Sequence, residues 1–116
     1  MSKPVGPYTP IVRSGDWLVL SGQGGLRDGA VVEGGVVEQA RQTMANIEAL
    51  LVSEGASMSD VVKTTVFLVD MGDYAAVNEV YAEAFGDHRP ARTCVAAAAL
   101  PLGLLVEVEA WARVGG

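Results

Sequence analysis

The apolar residues of this chain change their spacing near Val37, and this change limits the available folds more than any other feature. Before that point turn residues interrupt them every few positions, whereas from Val37 onward they recur at alternating steps of three and four. That period is typical of one face of an α-helix. The residues of this predicted face are Val37, Ala40, Met44, Ile47 and Leu51, and Gly55 follows as a stop signal.

The segment before this helix is typical of short strands joined by turns. Segments 8–15 and 16–23 each predict a strand, and segment 26–35 is compatible with a small hairpin. Asp28-Gly29 within that segment suits a tight turn that needs positive φ.

A strand and a second helix are predicted next. Segment 61–69 is short and rich in β-branched residues, which favours a strand over another helical turn. Asp73 is then placed to cap a helix and Gly86 to end it. The predicted inner face of this helix consists of Val77, Val80, Tyr81, Ala84 and Phe85.

Two closing strands are predicted at about 92–99 and 104–113, divided by Pro101 and Gly103. The order ββ(β)αβαββ indicates an α+β fold in which two helices pack on one face of a mixed β-sheet to make two layers. With 116 residues, half of them apolar, the chain fits a single domain at residues 1–116.

The other face of the predicted sheet also has apolar residues, because the last strand is apolar at both alternating sets of positions. Leu104, Val106 and Val108 alternate with Leu105 and Trp111. Large exposed apolar patches are uncommon on monomers. The sequence therefore predicts a closed oligomer.

Charge and composition argue against several classes of partner. The net charge of −6 and the scattered placement of the eight basic residues do not favour electrostatic binding of nucleic acid. No signal segment is recognisable at the N-terminus, and no apolar run approaches the roughly 20 residues needed to span a bilayer. Cys94 is the sole cysteine, so an internal disulfide is impossible. We expect a cytoplasmic protein without membrane or nucleic-acid partners.

The residues capable of chemistry exclude several kinds of site. His88 and Cys94 are the sole histidine and cysteine, and no third group is in evidence to orient them as a nucleophilic pair. No metal-ligand spacing is present, so no metal site is predicted. The glycines of SGQGG match neither a phosphate-binding loop nor a dinucleotide-binding turn. We therefore predict no cofactor.

Arg92 stands at the start of a predicted buried strand, in the stretch HRPARTCVAAAAL. Alternation places Arg92 and Cys94 on one face of that strand and Glu107 and Glu109 together on the last strand. If the final two strands pair, Arg92 and a glutamate could converge. A guanidinium matches a carboxylate in bidentate geometry, which indicates a small-carboxylate site. The alternative is a structural ion pair, and the pattern alone leaves both open.

Five segments, covering nearly the whole chain, match a known pattern: GPYTPIV at 6–12, SGQ at 21–23, QARQTMANIEALL at 39–51, DVVKTTVFLVDMGDYAAVNEVYAEAFGDHRPARTCV at 60–95 and ALPLGLLVEVEAWA at 99–112. Together they resemble the Rid (YjgF/YER057c/UK114) family, the reactive intermediate deaminases. The succession KTTVFL, PAR, LVEVEA is the most specific part of the resemblance.

The resemblance implies a chorismate-mutase-like fold assembled as a homotrimer, whose sheets form an internal barrel with ligand sites between subunits. It also implies an activity, the hydrolysis of 2-imino acids such as 2-iminopropanoate and 2-iminobutanoate, which derive from 2-aminoacrylate and related enamines. The products would be a 2-oxo acid and ammonia. No cofactor is implied.

The resemblance also assigns site residues. Arg92 matches the arginine that grips the substrate carboxylate, and Glu107 the glutamate that holds a water near the imine carbon. The remaining positions that match residues lining the same cleft are Tyr8, Ser21, Gly22, Asn78 and Cys94. Structural roles are the alternative: packing at the subunit seam for Tyr8, a bridge to backbone for Asn78, and pairing with Arg92 for Glu107.

Three departures from the family pattern border this cleft. Gly24-Gly25 replaces an apolar residue and proline before a shortened loop, Pro10 stands where glutamine is common, and the run after Cys94 lacks a glutamate. A rival function from a different class is a non-catalytic module that binds a small carboxylate such as a 2-oxo acid, or that regulates a partner.

Overall fold

The fold consists of a five-stranded sheet with two helices against one face, as seen in a computed structural model that describes residues 6–115. The remaining N-terminal segment, in which no signal was recognised, lies outside the described residues. The strands are β1 Ile11–Ser14, β2 Trp17–Gly24, β3 Leu26–Arg27, β4 Ala30–Val31, β5 Val61–Leu68, β6 Ala91–Ala96 and β7 Val106–Arg113. The helices are α1 Gly35–Ser53 and α2 Tyr74–Phe85, with single 3-10 turns at Met58–Asp60, Met71–Asp73 and Pro101–Gly103.

The strand order of the main sheet is β1-β2-β7-β5-β6, and β3 and β4 form a separate hairpin. β5 and β6 run parallel, whereas the other neighbouring strands are antiparallel. Parallel neighbours need a crossover connection, and α2 provides it between β5 and β6. The predicted mixed sheet with two helices is therefore confirmed.

The core lies between the helices and one face of the sheet. Every second residue of β7 is buried there, namely Val106, Val108, Ala110 and Ala112. From α1 the core receives Ala40, Met44, Ile47 and Leu51, as its period predicted, together with Leu50. From α2 it receives Val77, Val80, Tyr81 and Phe85, while Ala84 is partly buried.

The face of the sheet away from the helices, called the open face below, carries exposed apolar side chains. Pairing registers place Trp17, Val19 and Trp111 on this face, and Val12 beside them. Val12, Trp17 and Trp111 are exposed within the chain. The rings of Trp17 and Trp111 meet edge to face with centroids 6.2 Å apart. The expected second apolar face is present.

Some predicted boundaries and caps differ from the structure. Asp73 precedes α2, but its side chain caps no backbone N–H. Instead Asp70 Oδ1 accepts a hydrogen bond of 2.8 Å from the N–H of Gly72, because a 3-10 turn precedes the helix. The strand predicted to end at 99 ends at Ala96, and the last strand begins at Val106 rather than 104, because the turn Pro101–Gly103 occupies part of the connection.

Neither helix within residues 6–115 is long and apolar enough to cross a membrane.

Candidate functional site

Arg92 projects from the edge strand β6 toward α2, on the helix side of the sheet. The register pairs Arg92 with Thr64, which is fully buried under the helices. Its Nη1 donates to Asn78 Oδ1 at 2.8 Å, and its Nη2 donates to the Tyr74 hydroxyl at 3.0 Å. Both partners are uncharged. These hydrogen bonds therefore hold the guanidinium in place but do not neutralise its positive charge.

Two tyrosine rings of α2 also lie against this guanidinium. Arg92 Cζ is 4.9 Å from the ring centroid of Tyr81 and 5.4 Å from that of Tyr74. Both distances are within the range of cation–π attraction. The hydroxyls of Tyr81 and Thr64 share a hydrogen bond of 2.7 Å. Burial raises the pKa of Tyr81 above its ordinary value, although Thr64 and Arg92 oppose the shift, and the phenol stays neutral at physiological pH.

Cys94 lies two residues after Arg92 on the same side of β6 and is half-buried. Burial raises the pKa of its thiol above the ordinary value, while the nearby charge of Arg92 opposes the shift. The thiolate needed for nucleophilic attack is therefore disfavoured at neutral pH. His88 is engaged elsewhere, because its Nε2 lies 2.6 Å from the carbonyl oxygen of Val61, to which it donates. The arginine cluster thus consists of Arg92, Cys94, Asn78, Tyr74 and Tyr81.

Glu107 belongs to a different cluster, on the open face. The pairing of β2 with β7 shifts register between Leu20 and Gln23. In that irregularity, a Cβ added to Gly22 would lie 2.0 Å from Glu107 Oε1. The absence of a side chain at Gly22 is what makes room for the carboxylate.

The Glu107 carboxylate has unused hydrogen-bonding capacity. Within residues 6–115 it accepts no hydrogen bond and forms no ion pair. Partial burial raises the pKa of Glu107 above its ordinary value, and the like charge of Glu109 raises it further. A carboxylate with a raised pKa is a stronger proton acceptor than an ordinary glutamate.

Ser21 precedes Gly22 in β2, and its hydrogen bonds join β2 to the segment that follows Tyr8. The Ser21 hydroxyl donates to the carbonyl oxygen of Thr9 at 2.7 Å, and its backbone N–H donates to that of Pro10 at 2.9 Å. With its proton committed, the hydroxyl oxygen remains an acceptor. Tyr8 is 43% exposed. We group Tyr8, Ser21, Gly22 and Glu107 as the glutamate cluster, because Gly22 adjoins Glu107, Ser21 precedes Gly22, and Tyr8 shares a cleft with Gly22.

A cleft of about 510 Å³ adjoins the glutamate cluster. Tyr8 and Gly22 line it, together with the β3–β4 hairpin and polar side chains including Gln42 and Asn46. None of Arg92, Asn78, Cys94 or Glu107 lines this cleft. The amide of Asn46 is used structurally, because it donates to the carbonyls of Gly24 and Leu26 at 3.1 and 3.0 Å.

The glycine pair that departs from the family pattern has a packing role. A Cβ at Gly24 would lie 2.4 Å from Leu104 Cδ1, and one at Gly25 would lie 2.6 Å from Gln39 Cα. The Cβ at Gly25 would clash with the backbone of α1, which cannot move aside as a flexible side chain can. The pair therefore allows Leu104 and α1 to pack closely against the end of β2.

The predicted convergence of Arg92 with a glutamate of the last strand is wrong within one chain. The last two strands do not pair, because β5 lies between β6 and β7. The registers also place Arg92 level with the buried Ala110, whereas Glu107 alternates to the open face. A structural ion pair between Arg92 and Glu107 is excluded in the chain for the same reason.

Sequence reasoning missed the two tyrosines that surround Arg92. Tyr74, Asn78 and Tyr81 are spaced at i, i+4 and i+7 in α2, so they share one face of the helix. That spacing is a usable signal, but the sequence analysis assigns Tyr81 to the core and gives Tyr74 no role. Across the described part of the chain, no three His, Cys, Asp or Glu side chains form a group suited to a metal ion.

Comparison with known proteins gives a consistent result. The sequence model of the endoribonuclease L-PSP family matches residues 1–114. A RutC family protein of Pyrococcus horikoshii is 45% identical over 110 residues, which are 93% of this chain and 87% of the relative. The 2-iminobutanoate/2-iminopropanoate deaminase of Mus musculus is 44% identical over 113 residues, which are 96% and 84% of the two chains.

A solved structure is similar over nearly the same span. The crystal structure of TdcF from E. coli with bound serine superposes with a TM-score of 0.91 at 37% sequence identity, covering 97% of this chain and 91% of that one.

Proposed function

This chain belongs to the endoribonuclease L-PSP family, which is also known as the YjgF/Rid family, and from that membership we propose that it hydrolyses 2-imino acids to 2-oxo acids and ammonia. The substrates are small imines such as 2-iminopropanoate and 2-iminobutanoate. Relatives named 2-iminobutanoate/2-iminopropanoate deaminase support this assignment at 41 to 44% identity.

The observation that carries the proposal is the environment of Arg92. Its guanidinium is held by neutral oxygens and two aromatic rings, and no carboxylate neutralises it within residues 6–115. Two of its N–H groups are used and the others remain, so it can still donate to an anion. A 2-imino acid carries a carboxylate that fits this donor set. We assign Arg92 the role of carboxylate anchor, with Asn78 holding it.

Glu107 is assigned the proton transfers. Water attacks the carbon of the protonated imine, and the Glu107 carboxylate takes a proton from that water to give a carbinolamine. The protonated Glu107 then returns the proton to nitrogen. As the carbon–nitrogen bond breaks, the Glu107 carboxylate takes the hydroxyl proton while the carbonyl forms, and it passes that proton to the departing ammonia, which leaves as ammonium. The raised pKa of Glu107 supports both directions of transfer.

Ser21 and Tyr8 are assigned to the nitrogen of the substrate. The Ser21 hydroxyl donates its hydrogen bond to the carbonyl oxygen of Thr9, and its oxygen can still accept one. It can therefore accept a hydrogen bond from an N–H of the imine or of the developing amine. Tyr8 and the backbone at Gly22 and Cys94 complete the proposed binding surface. The protein mainly orients the substrate and water.

The proposed site needs two copies of the chain. Arg92 and Glu107 lie on opposite faces of one sheet, so both can reach one small substrate only when they come from different subunits. The exposed apolar side chains of the open face support an assembly that covers them. We propose a homotrimer in which three sheets form an internal barrel, with the arginine cluster of one subunit facing the glutamate cluster of the next.

A second candidate is a non-catalytic module that binds small carboxylates. The TdcF structure with bound serine favours this alternative, because serine is a small molecule with a carboxylate. The same Arg92 anchor would serve. Direct cleavage of RNA is not favoured, because the chain carries a net charge of −6 and a single histidine.

The two candidates are separated by a competition assay. An amino acid oxidase generates the 2-imino acid in the presence of semicarbazide, which traps it. If the protein is a deaminase, adding it lowers semicarbazone formation from the imine and speeds ammonia release. If semicarbazone formation is unchanged across several amino acids while 2-oxobutanoate binds, the protein is a binding module.

A further inference from the structure

Within residues 6–115, the side chains that hydrogen-bond to the guanidinium of Arg92 or lie against it through a ring come from one helix face. Tyr74, Asn78 and Tyr81 follow one another at i, i+4 and i+7 along α2. Together they contact the guanidinium through a hydroxyl, an amide oxygen and two aromatic rings. We call this face the tyrosine cradle.

Tyr81 forms the fixed floor of the cradle. Its ring is buried with the core and tilts against Phe85 with centroids 4.8 Å apart. Its hydroxyl is tied to the buried hydroxyl of Thr64 at 2.7 Å. Tyr81 therefore has a structural function that would exist without Arg92.

Tyr74 is different, because packing does not explain it. Its side chain is 41% exposed and lies at the first position of α2. Its hydroxyl accepts the Nη2–H of Arg92 at 3.0 Å, while its ring also lies 5.4 Å from Arg92 Cζ. A tyrosine at this place thus fixes both the tilt and the rotation of the guanidinium. Phenylalanine would keep the ring contact and lose the hydrogen bond.

We propose that Tyr74 is a positioning residue, which holds the Arg92 guanidinium in one orientation before a carboxylate arrives. An arginine side chain has many rotamers, and fixing one of them in advance lowers the entropy lost on binding. The proposal rests on the proposed function in one respect, that the anion is the carboxylate of the substrate. Tyr74 itself has no assigned contact with the reacting atoms.

The kinetic test compares Tyr74→Phe with the wild-type protein. Loss of one hydrogen bond to a charged group predicts a rise in KM of about tenfold, with kcat within about twofold and the melting temperature unchanged. Tyr74→Leu removes the ring as well and should raise KM further. Glu83→Gln, on an exposed part of the same helix, is the matched control and should change neither constant.

A second readout does not depend on catalysis. The Nε–H signal of Arg92 is assigned in ¹⁵N NMR spectra by its absence from Arg92→Lys. The proposal predicts a sharp, slowly exchanging signal in the wild type and a broadened, faster-exchanging one in Tyr74→Phe. Titration with 2-oxobutanoate should give a dissociation constant about tenfold higher for the variant.

The outcomes separate this proposal from the proposed function. If the wild type hydrolyses no imine but the Nε–H signal still depends on the Tyr74 hydroxyl, the positioning role stands and the deaminase function fails. If the wild type hydrolyses imines and Tyr74→Phe leaves KM, the dissociation constant and the Nε–H signal unchanged, Tyr74 does not position Arg92. A lower melting temperature for Tyr74→Phe with an unchanged Nε–H signal would also overturn the proposal.

Discussion

Arg92 and Glu107 project from opposite faces of the same sheet, on strands that lie on either side of β5. Arg92 is held against α2 by Asn78 and Tyr74, whereas Glu107 lies in the space left by Gly22 on the open face. Each therefore has its own surroundings within the chain. The proposed chemistry requires that a second subunit bring them together.

Replacing Arg92 by lysine tests its role as carboxylate anchor. Lysine keeps the charge but loses the bidentate fork, so kcat/KM should fall by roughly 30- to 150-fold, or about 2 to 3 kcal/mol. Imine hydrolysis and thermal unfolding are measured on the same preparations. Near-normal hydrolysis by a well-folded Arg92→Lys protein would remove the anchor role.

The raised pKa of Glu107 predicts a pH dependence of activity. The carboxylate is the form that accepts a proton from water, so activity should rise with pH through an apparent pKa above the ordinary value for glutamate. In Glu107→Gln this rising limb should disappear together with most of the activity. A pH profile of kcat/KM for both proteins checks it, and an unchanged profile in the variant would assign the limb to another group.

The same pKa shift predicts an effect on stability. Because the pKa is raised in the folded state, the burial of the charged carboxylate costs free energy above the folded pKa, and the cost vanishes below the unfolded value. Glu107→Gln should therefore unfold at a higher temperature than the wild type at neutral pH, and the gap should narrow as pH falls through that window. Melting curves of the wild type and Glu107→Gln from pH 7 to pH 4 measure this gap, with Glu79→Gln, at an exposed position of α2, as the control.

Two glycines near the glutamate cluster should respond differently to alanine. In Gly22→Ala the added Cβ meets the end of the flexible Glu107 side chain, so the protein should fold but lose activity as the carboxylate is displaced. In Gly25→Ala it meets the backbone of Gln39, so we expect destabilisation of about 1 to 3 kcal/mol. Denaturant unfolding and imine hydrolysis on both variants test this contrast. If Gly22→Ala loses activity only in proportion to its loss of folding stability, as Gly25→Ala does, Gly22 has no specific role at the site.

Local patterns in the sequence predicted most of the fold. The three-and-four spacing from Val37 to Leu51 identified α1, and the β-branched segment 61–69 identified β5. These signals are local, because the spacing of apolar residues within one short segment indicates whether that segment is a helix or a strand. The Asp28-Gly29 turn was confirmed for the same reason, with φ of 54° and 82° at its two residues.

The strand order could not be predicted in this way. β6 and β7 are consecutive in sequence, and consecutive strands are neighbours in most sheets, which led to the expected convergence of Arg92 with a glutamate. The crossover through α2 instead places β6 beside β5 at the edge of the sheet. The prediction of the cap at Asp73 failed on a smaller scale, since a 3-10 turn transferred the cap to Asp70.

The proposed assembly has a direct physical consequence. The open face exposes Val12, Trp17 and Trp111 in the isolated chain, and burial of these side chains should hold a trimer of three 12.1 kDa subunits together at micromolar concentration. Light scattering measures the mass. Trp111→Glu should weaken the trimer, whereas Val52→Glu, exposed on α1, should leave it intact. A monomeric wild-type protein would contradict both the assembly and the shared site.

Mixing two inactive variants tests whether one chain supplies Arg92 to the site while the neighbouring chain supplies Glu107. Arg92→Lys and Glu107→Gln chains carrying different tags are co-expressed in equal amounts, and the activity of the total trimer pool is compared with each variant alone. Random assembly leaves both residues intact at about one site in four, so the pool should regain about a quarter of wild-type activity. If isolated mixed trimers are no more active than the parent variants, the two residues do not act across a subunit boundary.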